Sequence, residues 1–221
     1  MSERQWKQTR DVDKLLDLLR QKFGYNRTKD GRRRQRLFIC ACWRQIRDLA
    51  PPDEYAERIV ALAERFADGQ ATTRELYAAF NEQEPGSFPS GSAAGFARAV
   101  AKCALYPTPE HVTGSARFWT QAAAPAGRTG AAGVTKQMEA VLRCIVGNPF
   151  RPVACDPAWR TSTAVGLAEA IYAERAFDRL PILADALEDA GCDNADILAH
   201  CRGDGPHVRG CWVVDLILGK T

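Results

Sequence analysis

Five side chains able to hold metal or do thiol chemistry fall between positions 192 and 211: Cys192, His200, Cys201, His207 and Cys211. Thiolate and imidazole in tetrahedral array suit zinc. His207 and Cys211 are four apart and can share a helix face, with Cys192 and one of His200 or Cys201 completing a set of four. His200 and Cys201 are adjacent, so on a helix they diverge by about 100° and do not both ligate. The window has no Cys-x-x-Cys knuckle. The plainer reading is that the cysteines are small core residues and the histidines cap or hydrogen-bond. That reading is the expectation, with no metal and no cofactor assigned. A Cys–His nucleophilic dyad would need a lowered thiol pKa, an orienting group and an oxyanion site. Asp193, Asp196 and Asp204 lie nearby but read as caps or turn residues, so no catalytic residue is assigned.

Charge supplies a second candidate. Ten basic residues lie between Arg20 and Arg47 against one acid, Asp30, although the whole chain carries only +3. On a helical projection Arg33, Arg36, Arg44 and Arg47 occupy one sector of about 80° together with Cys40. Phe38, Cys42, Ile46 and Leu49 fall on the opposite side. This is the pattern of an amphipathic helix with a guanidinium stripe facing solvent. Arg27, Lys29, Arg32 and Arg34 extend the positive field ahead of it. Such a face can neutralise nucleic-acid phosphates or meet an acidic protein surface. The bland alternative is a solvated face paired with acids such as Asp48 or Glu54.

Three short motifs carry nothing. Gly219-Lys220-Thr221 imitates the end of a phosphate-binding loop, but Val214 stands where its first glycine belongs. Arg202-Gly203-Asp204 reads as a helix stop. Glu110-His111 lacks a second histidine. No apolar run reaches the roughly 18 residues needed to cross a bilayer, and the first residues are not a secretory leader. A cytoplasmic location follows as the expectation, with the eight cysteines reduced and mostly unreactive.

The elements that must position these groups are helices. Val12, Leu15, Leu16, Leu19 and Phe23 mark one apolar face behind Asp11 as cap. Tyr55, Ile59, Leu62 and Phe66 mark another. Thr72 with Glu75 forms a capping box before Leu76 and Phe80. Met138, Val141, Leu142 and Ile145 end at Gly147. Towards the C-terminus, Thr161 or Ser162 caps a helix through Leu167 and Ile171, Pro181 opens the next, Asp193 caps a short one, and Pro206 opens the last. No stretch alternates with period two. The expectation is an all-α chain of roughly ten to twelve short helices in an irregular bundle, with room for two subdomains. Residues 1–82 form an N-terminal helical unit with the basic helix. Residues 83–134 form an Ala/Gly/Pro-containing connector with weaker helices, including Phe96, Val100, Leu105 and Trp119. Residues 135–221 form a C-terminal helical unit.

Several segments resemble a family of uncharacterised paralogous proteins of planctomycete bacteria. They are Arg36-Leu37-Phe38-Ile39-Cys40-Ala41-Cys42-Trp43-Arg44 near the start, then Gly147-Asn148-Pro149-Phe150-Arg151-Pro152, Ala176-Phe177-Asp178-Arg179-Leu180-Pro181 and His207-Val208-Arg209-Gly210-Cys211-Trp212. The resemblance implies a bacterial origin and a helical domain, and it carries no activity, ligand or catalytic residue. The functional expectation is a non-enzymatic helical interaction module, an adaptor or assembly subunit. Its partner is a protein or a larger assembly, not a membrane. The alternative is a DNA- or RNA-binding protein using the arginine stripe, and the third reading is a zinc or thiol site at 192–211.

Overall fold

The computed structural model describes residues 2–89, 92–106 and 131–220. Eleven α-helices and no strand occur among the described residues, so the chain is all-α. Trp119, the Glu110-His111 pair, the Ala/Gly segment as far as residue 130, and Thr221 lie outside the described residues. No helix among the described residues is long and apolar enough to cross a membrane. The chain divides into two compact units between Leu142 and Arg143.

Unit 1 contains α1 (Glu3–Gln8), α2 (Val12–Gln21), α3 (Lys29–Ile46), α4 (Glu54–Ala67), α5 (Thr73–Asn81), α6 (Ala93–Cys103) and the first turns of α7 (Ala131–Val146). Polar caps set where these helices start. Asp11, Thr28, Asp53 and Ser92 each accept the backbone N–H three residues on, and Thr72 and Glu75 form the reciprocal capping box expected of them. Each such cap contributes about 1 kcal/mol. The core collects Trp6, Leu15, Leu16, Phe38, Ile59, Leu76 and Val100, all at most 1 % exposed. At its centre is α3, which packs against both α4 and α6. Every residue from Leu37 to Trp43 is buried, so this stretch has no solvent face. Residues 93–103, placed by sequence in a connector, belong to this packed body.

Unit 2 holds the end of α7, then α8 (Ser162–Glu174), α9 (Leu180–Asp189), α10 (Ala195–Arg202) and α11 (Trp212–Leu218). α8 packs on α9 and α11, and α9 on α10. Ala164, Ala168, Ile171, Leu183, Leu187, Ile197 and Ile217 form its fully buried core. Thr161 caps α8 and Pro181 sits in the first turn of α9, as the sequence predicts. Two expectations shift. Asn194, not Asp193, caps α10, its Oδ1 accepting from both Asp196 and Ile197. The last helix opens at Trp212, not at Pro206, so residues 203–211 are a loop.

Gly147 ends α7 in the left-handed region, at φ 68°, and a Cβ there would lie 3.1 Å from the Trp212 ring. Left-handed backbone costs a non-glycine residue about 1–2 kcal/mol, and the indole blocks the side chain as well. Gly147→Ala is therefore expected to lower unfolding free energy by about 2 kcal/mol. Urea denaturation followed by tryptophan fluorescence measures it, and an unchanged midpoint would contradict the close approach.

Candidate functional site

Two clusters bring chemically capable side chains together, one within each unit. In unit 1, Arg33, Arg36 and Arg44 of α3 turn inward, and Arg47 just past its end stays exposed. Arg33 pairs at 3.0 Å with the fully enclosed carboxylate of Asp68. Arg44 grips Glu64 through two parallel hydrogen bonds of 2.9 Å, and Arg47 reaches Glu57 at 3.2 Å. Arg36 is only 3 % exposed. It donates to the carbonyls of Ala104 and Tyr106, at 3.0 and 2.5 Å, and its guanidinium carbon lies 4.7 Å from the centre of the Phe66 ring. Burial pulls its pKa down from the ordinary arginine value.

These partners run along α4 in antiparallel order, 33 with 68, 44 with 64 and 47 with 57. The expected solvent stripe is corrected on this point: Arg33, Arg36, Arg44 and Cys40 belong to the α3–α4 interface. The physical reason is that α3 is enclosed, and a guanidinium taken from water without a partner is costly. The remaining cations scatter. Arg34 bonds Asp30 one turn back, and Arg32 donates to the carbonyls of Asn26 and Arg27. Arg27 and Lys29 stay exposed.

In unit 2 four ligand atoms lie within 4.8 Å of one another, from Cys144, His200, His207 and Cys211. Each comes from a different piece of structure. Cys144 is in the last turn of α7. His200 is in the last turn of α10. His207 is on the 203–211 loop, and Cys211 is the N-cap of α11. Gly147 and Gly203 stop α7 and α10 just beyond the ligands they carry. His200 Nε2 lies 3.2 Å from Cys211 Sγ, and Cys144 Sγ lies 3.8 Å from His207 Nδ1. His207 Nε2 is 3.1 Å from the Gly203 carbonyl, to which it donates, leaving the Nδ1 lone pair aimed into the cluster. The two imidazoles meet edge to face at 4.8 Å, and Trp212 flanks His200 at 5.4 Å. Both thiols are buried and both imidazoles are half-buried.

The sequence expectation is corrected here too. Cys192 and Cys201 are not members of the set; they are buried elsewhere in the unit. Of the adjacent pair His200 and Cys201, only the histidine enters, in keeping with their divergence on a helix. Cys144 replaces Cys192, although its place beside Val141 and Ile145 predicts an inert core thiol. None of the eight cysteines forms a disulfide, and seven of them are buried.

The cluster's electrostatics differ from those of the ordinary core thiols. Burial pushes Cys42, Cys103 and Cys201 up. At Cys211 burial acts the same way. It is outweighed by a hydrogen bond from Cys144, the charge of His200, and hydrogen bonds to His200 and His207, which hold this thiol well below its usual range. Cys144 is pushed up, first by burial and then by its hydrogen bond to Cys211 and that group's charge. Burial would lower His207, but the Cys211 contact and the Gly203 carbonyl raise it. A thiolate beside imidazole has the makings of a nucleophile. Cys211, however, is 0 % exposed, so no substrate atom reaches it in this conformation. What the arrangement can do is present two sulfurs and two nitrogens to a single point.

Comparison of the chain with family models, with curated proteins and with solved structures finds no match.

Proposed function

We propose that this protein is a non-enzymatic helical interaction module, an adaptor or assembly subunit. Its docking face is a groove on unit 2 that takes an amphipathic, basic-flanked helix of a partner protein. The observation that carries the reading is an apolar stripe on α9 left open to solvent. Ile182 is 54 % exposed, one of two large apolar side chains so exposed among the described residues. With Ala186 and Ala190 it repeats every four residues along one face. Leu167 of α8 closes the other side, and Thr161 and Thr163 the end, of a groove of about 400 Å³.

Charge indicates the kind of occupant. Asp185 and Asp189 border the groove. Arg202 bonds Asp185 and Glu188, whereas Asp189 has no ion pair among the described residues. Acids in the last turn of a helix oppose its dipole, and α9 has no basic residue there. Local stability does not account for Asp189, but a cationic partner does. The enclosure of Cys211 supports a role without chemistry, and the acid-paired arginines of α3 favour a protein partner over nucleic acid.

The test is fluorescence anisotropy with a synthetic amphipathic helix of about 14 residues, four turns, carrying leucines at i and i+4 and flanked by lysine and arginine. A charge-reversed glutamate version is the control. The basic peptide is expected to bind, and to bind less tightly as salt screens the acids. Ile182→Glu should weaken it at least about 30-fold, the size of one hot-spot anchor. Equal binding of the two peptides, or full affinity in the Ile182→Glu protein, would refute the assignment.

A further inference from the structure

We infer that Cys144, His200, His207 and Cys211 form a tetrahedral zinc site, structural in kind, that pins the 203–211 loop and the start of α11 to α7 and α10. The inference is independent of the docking groove.

Ligand chemistry comes first. Two sulfurs and two imidazole nitrogens suit zinc and exclude the oxygen-seeking cations calcium and magnesium. Geometry comes second. Zinc–sulfur bonds of about 2.3 Å and zinc–nitrogen bonds of about 2.0–2.1 Å place tetrahedral ligand atoms about 3.3–3.8 Å apart. Both short contacts are sulfur–nitrogen pairs, for which this geometry gives about 3.6 Å; at 3.2 and 3.8 Å they lie close to it, and the widest separation, 4.8 Å, must contract by about 1–1.5 Å.

Orientation is the third line. A metal-ligating histidine typically donates its other N–H to a carbonyl or carboxylate, which fixes tautomer and ring direction. His207 does this with the Gly203 carbonyl, so Nδ1 is its ligand atom and Nε2 its anchor. For His200 the ligand atom is Nε2, the nitrogen facing Cys211. Access is the fourth. A cleft of about 380 Å³, bordered by Phe177, Gly203, Asp204 and His207, brings solvent to one of the four ligands, His207.

Four protein ligands leave no open position, and a closed sphere marks a structural rather than a catalytic zinc. The need for such a pin is local. Residues 203–211 carry no helix, and α11 is only 7 residues long. Helices that short are marginal without tertiary support. One ion would tie the 203–211 loop and the start of α11 to the ends of α7 and α10, and it would satisfy the two sulfurs and two nitrogens gathered there. Zinc would bind both cysteines as thiolates, its two positive charges offsetting their two negative ones, with two protons leaving to solvent.

The experiment uses the full chain, purified under reducing conditions. Elemental analysis is expected to find about one zinc per chain. The metal-free protein titrated with cobalt(II) should develop the visible bands of a tetrahedral ion and the charge-transfer absorption of thiolate ligands, both abolished by added zinc. X-ray absorption on the zinc form should give two sulfur and two nitrogen neighbours. Cys144→Ser and His207→Ala should each lose stoichiometric zinc, whereas Cys192→Ser and Cys201→Ser should keep it. Chelation should lower the unfolding temperature of the parent and not that of Cys144→Ser. Should Cys144→Ser fail to fold, the cobalt spectrum of the parent decides alone. No cobalt or zinc uptake by the parent, an octahedral or oxygen-rich sphere, or retention of zinc by a folded Cys144→Ser would each overturn the assignment.

Discussion

Arg44→Met is expected to destabilise unit 1 by about 3–5 kcal/mol, the usual cost of stranding one member of a buried ion pair. Glu64 is 3 % exposed. Removing the fork that holds both its oxygens at 2.9 Å takes the matching charge from a desolvated carboxylate at the α3–α4 interface. Glu57 lies 3.9 Å from the same guanidinium and compounds the loss. Replacing Arg44 and Glu64 together with Met and Leu should cost much less, because no charge is then left unmet. Urea denaturation of the two singles and the double closes the cycle, with a coupling of about 2 kcal/mol or more expected. If Arg44→Met unfolds within about 0.5 kcal/mol of the parent, the pair behaves as a surface pair and the α3–α4 ladder contributes little.

Gly31→Val should cost about 3 kcal/mol or more. Gly31 is buried in the first turn of α3, where its N–H bonds the Thr28 cap at 3.0 Å. A Cβ placed there would overlap the carbonyl oxygen, the carbonyl carbon and the Cα of Tyr25. These are backbone atoms, held in turn by the hydrogen bond from Tyr25 N to the Leu19 carbonyl. The 24–27 turn would have to lift off the helix. Alanine ordinarily favours a helix over glycine by about 1 kcal/mol, so Gly31→Ala sets propensity directly against this close approach. A Gly31→Ala protein more stable than the parent would show that the turn yields easily.

Local structure was largely legible. Apolar residues at helical spacing mark α2, α4 and α7. Asp11, Thr72 with Glu75, and Pro181 mark helix starts because an orphan N–H or a fixed φ is satisfied by the residue itself. These signals act over three or four residues and need no partner. The last helix was misread for the same kind of reason. Pro206 is compatible with a first turn, but nothing local shows that residues 206–211 form a loop and the helix opens only at Trp212.

Charges and ligands were legible only in part. The 3.6-residue period puts Arg33, Arg36, Arg44 and Arg47 on one side of a helical projection. Periodicity does not say whether the face meets water or another helix, because a long guanidinium stem packs well in either place. One clue was present: Glu57 and Glu64 of α4 and its C-cap Asp68 take the arginines in reverse order, as an antiparallel neighbour does. At the C-terminal end, the amino-acid sequence determined that His200, His207 and Cys211 lie close, because few residues separate them. Cys144 carries no such mark. It precedes His200 by 56 positions, and it resembles a core thiol beside Val141 and Ile145. Only the packing of unit 2 decided that the end of α7 delivers it to the histidines. A helix is specified by interactions within a few residues, whereas a four-ligand site depends on the tertiary contacts that join distant segments, and no short-range pattern reports those.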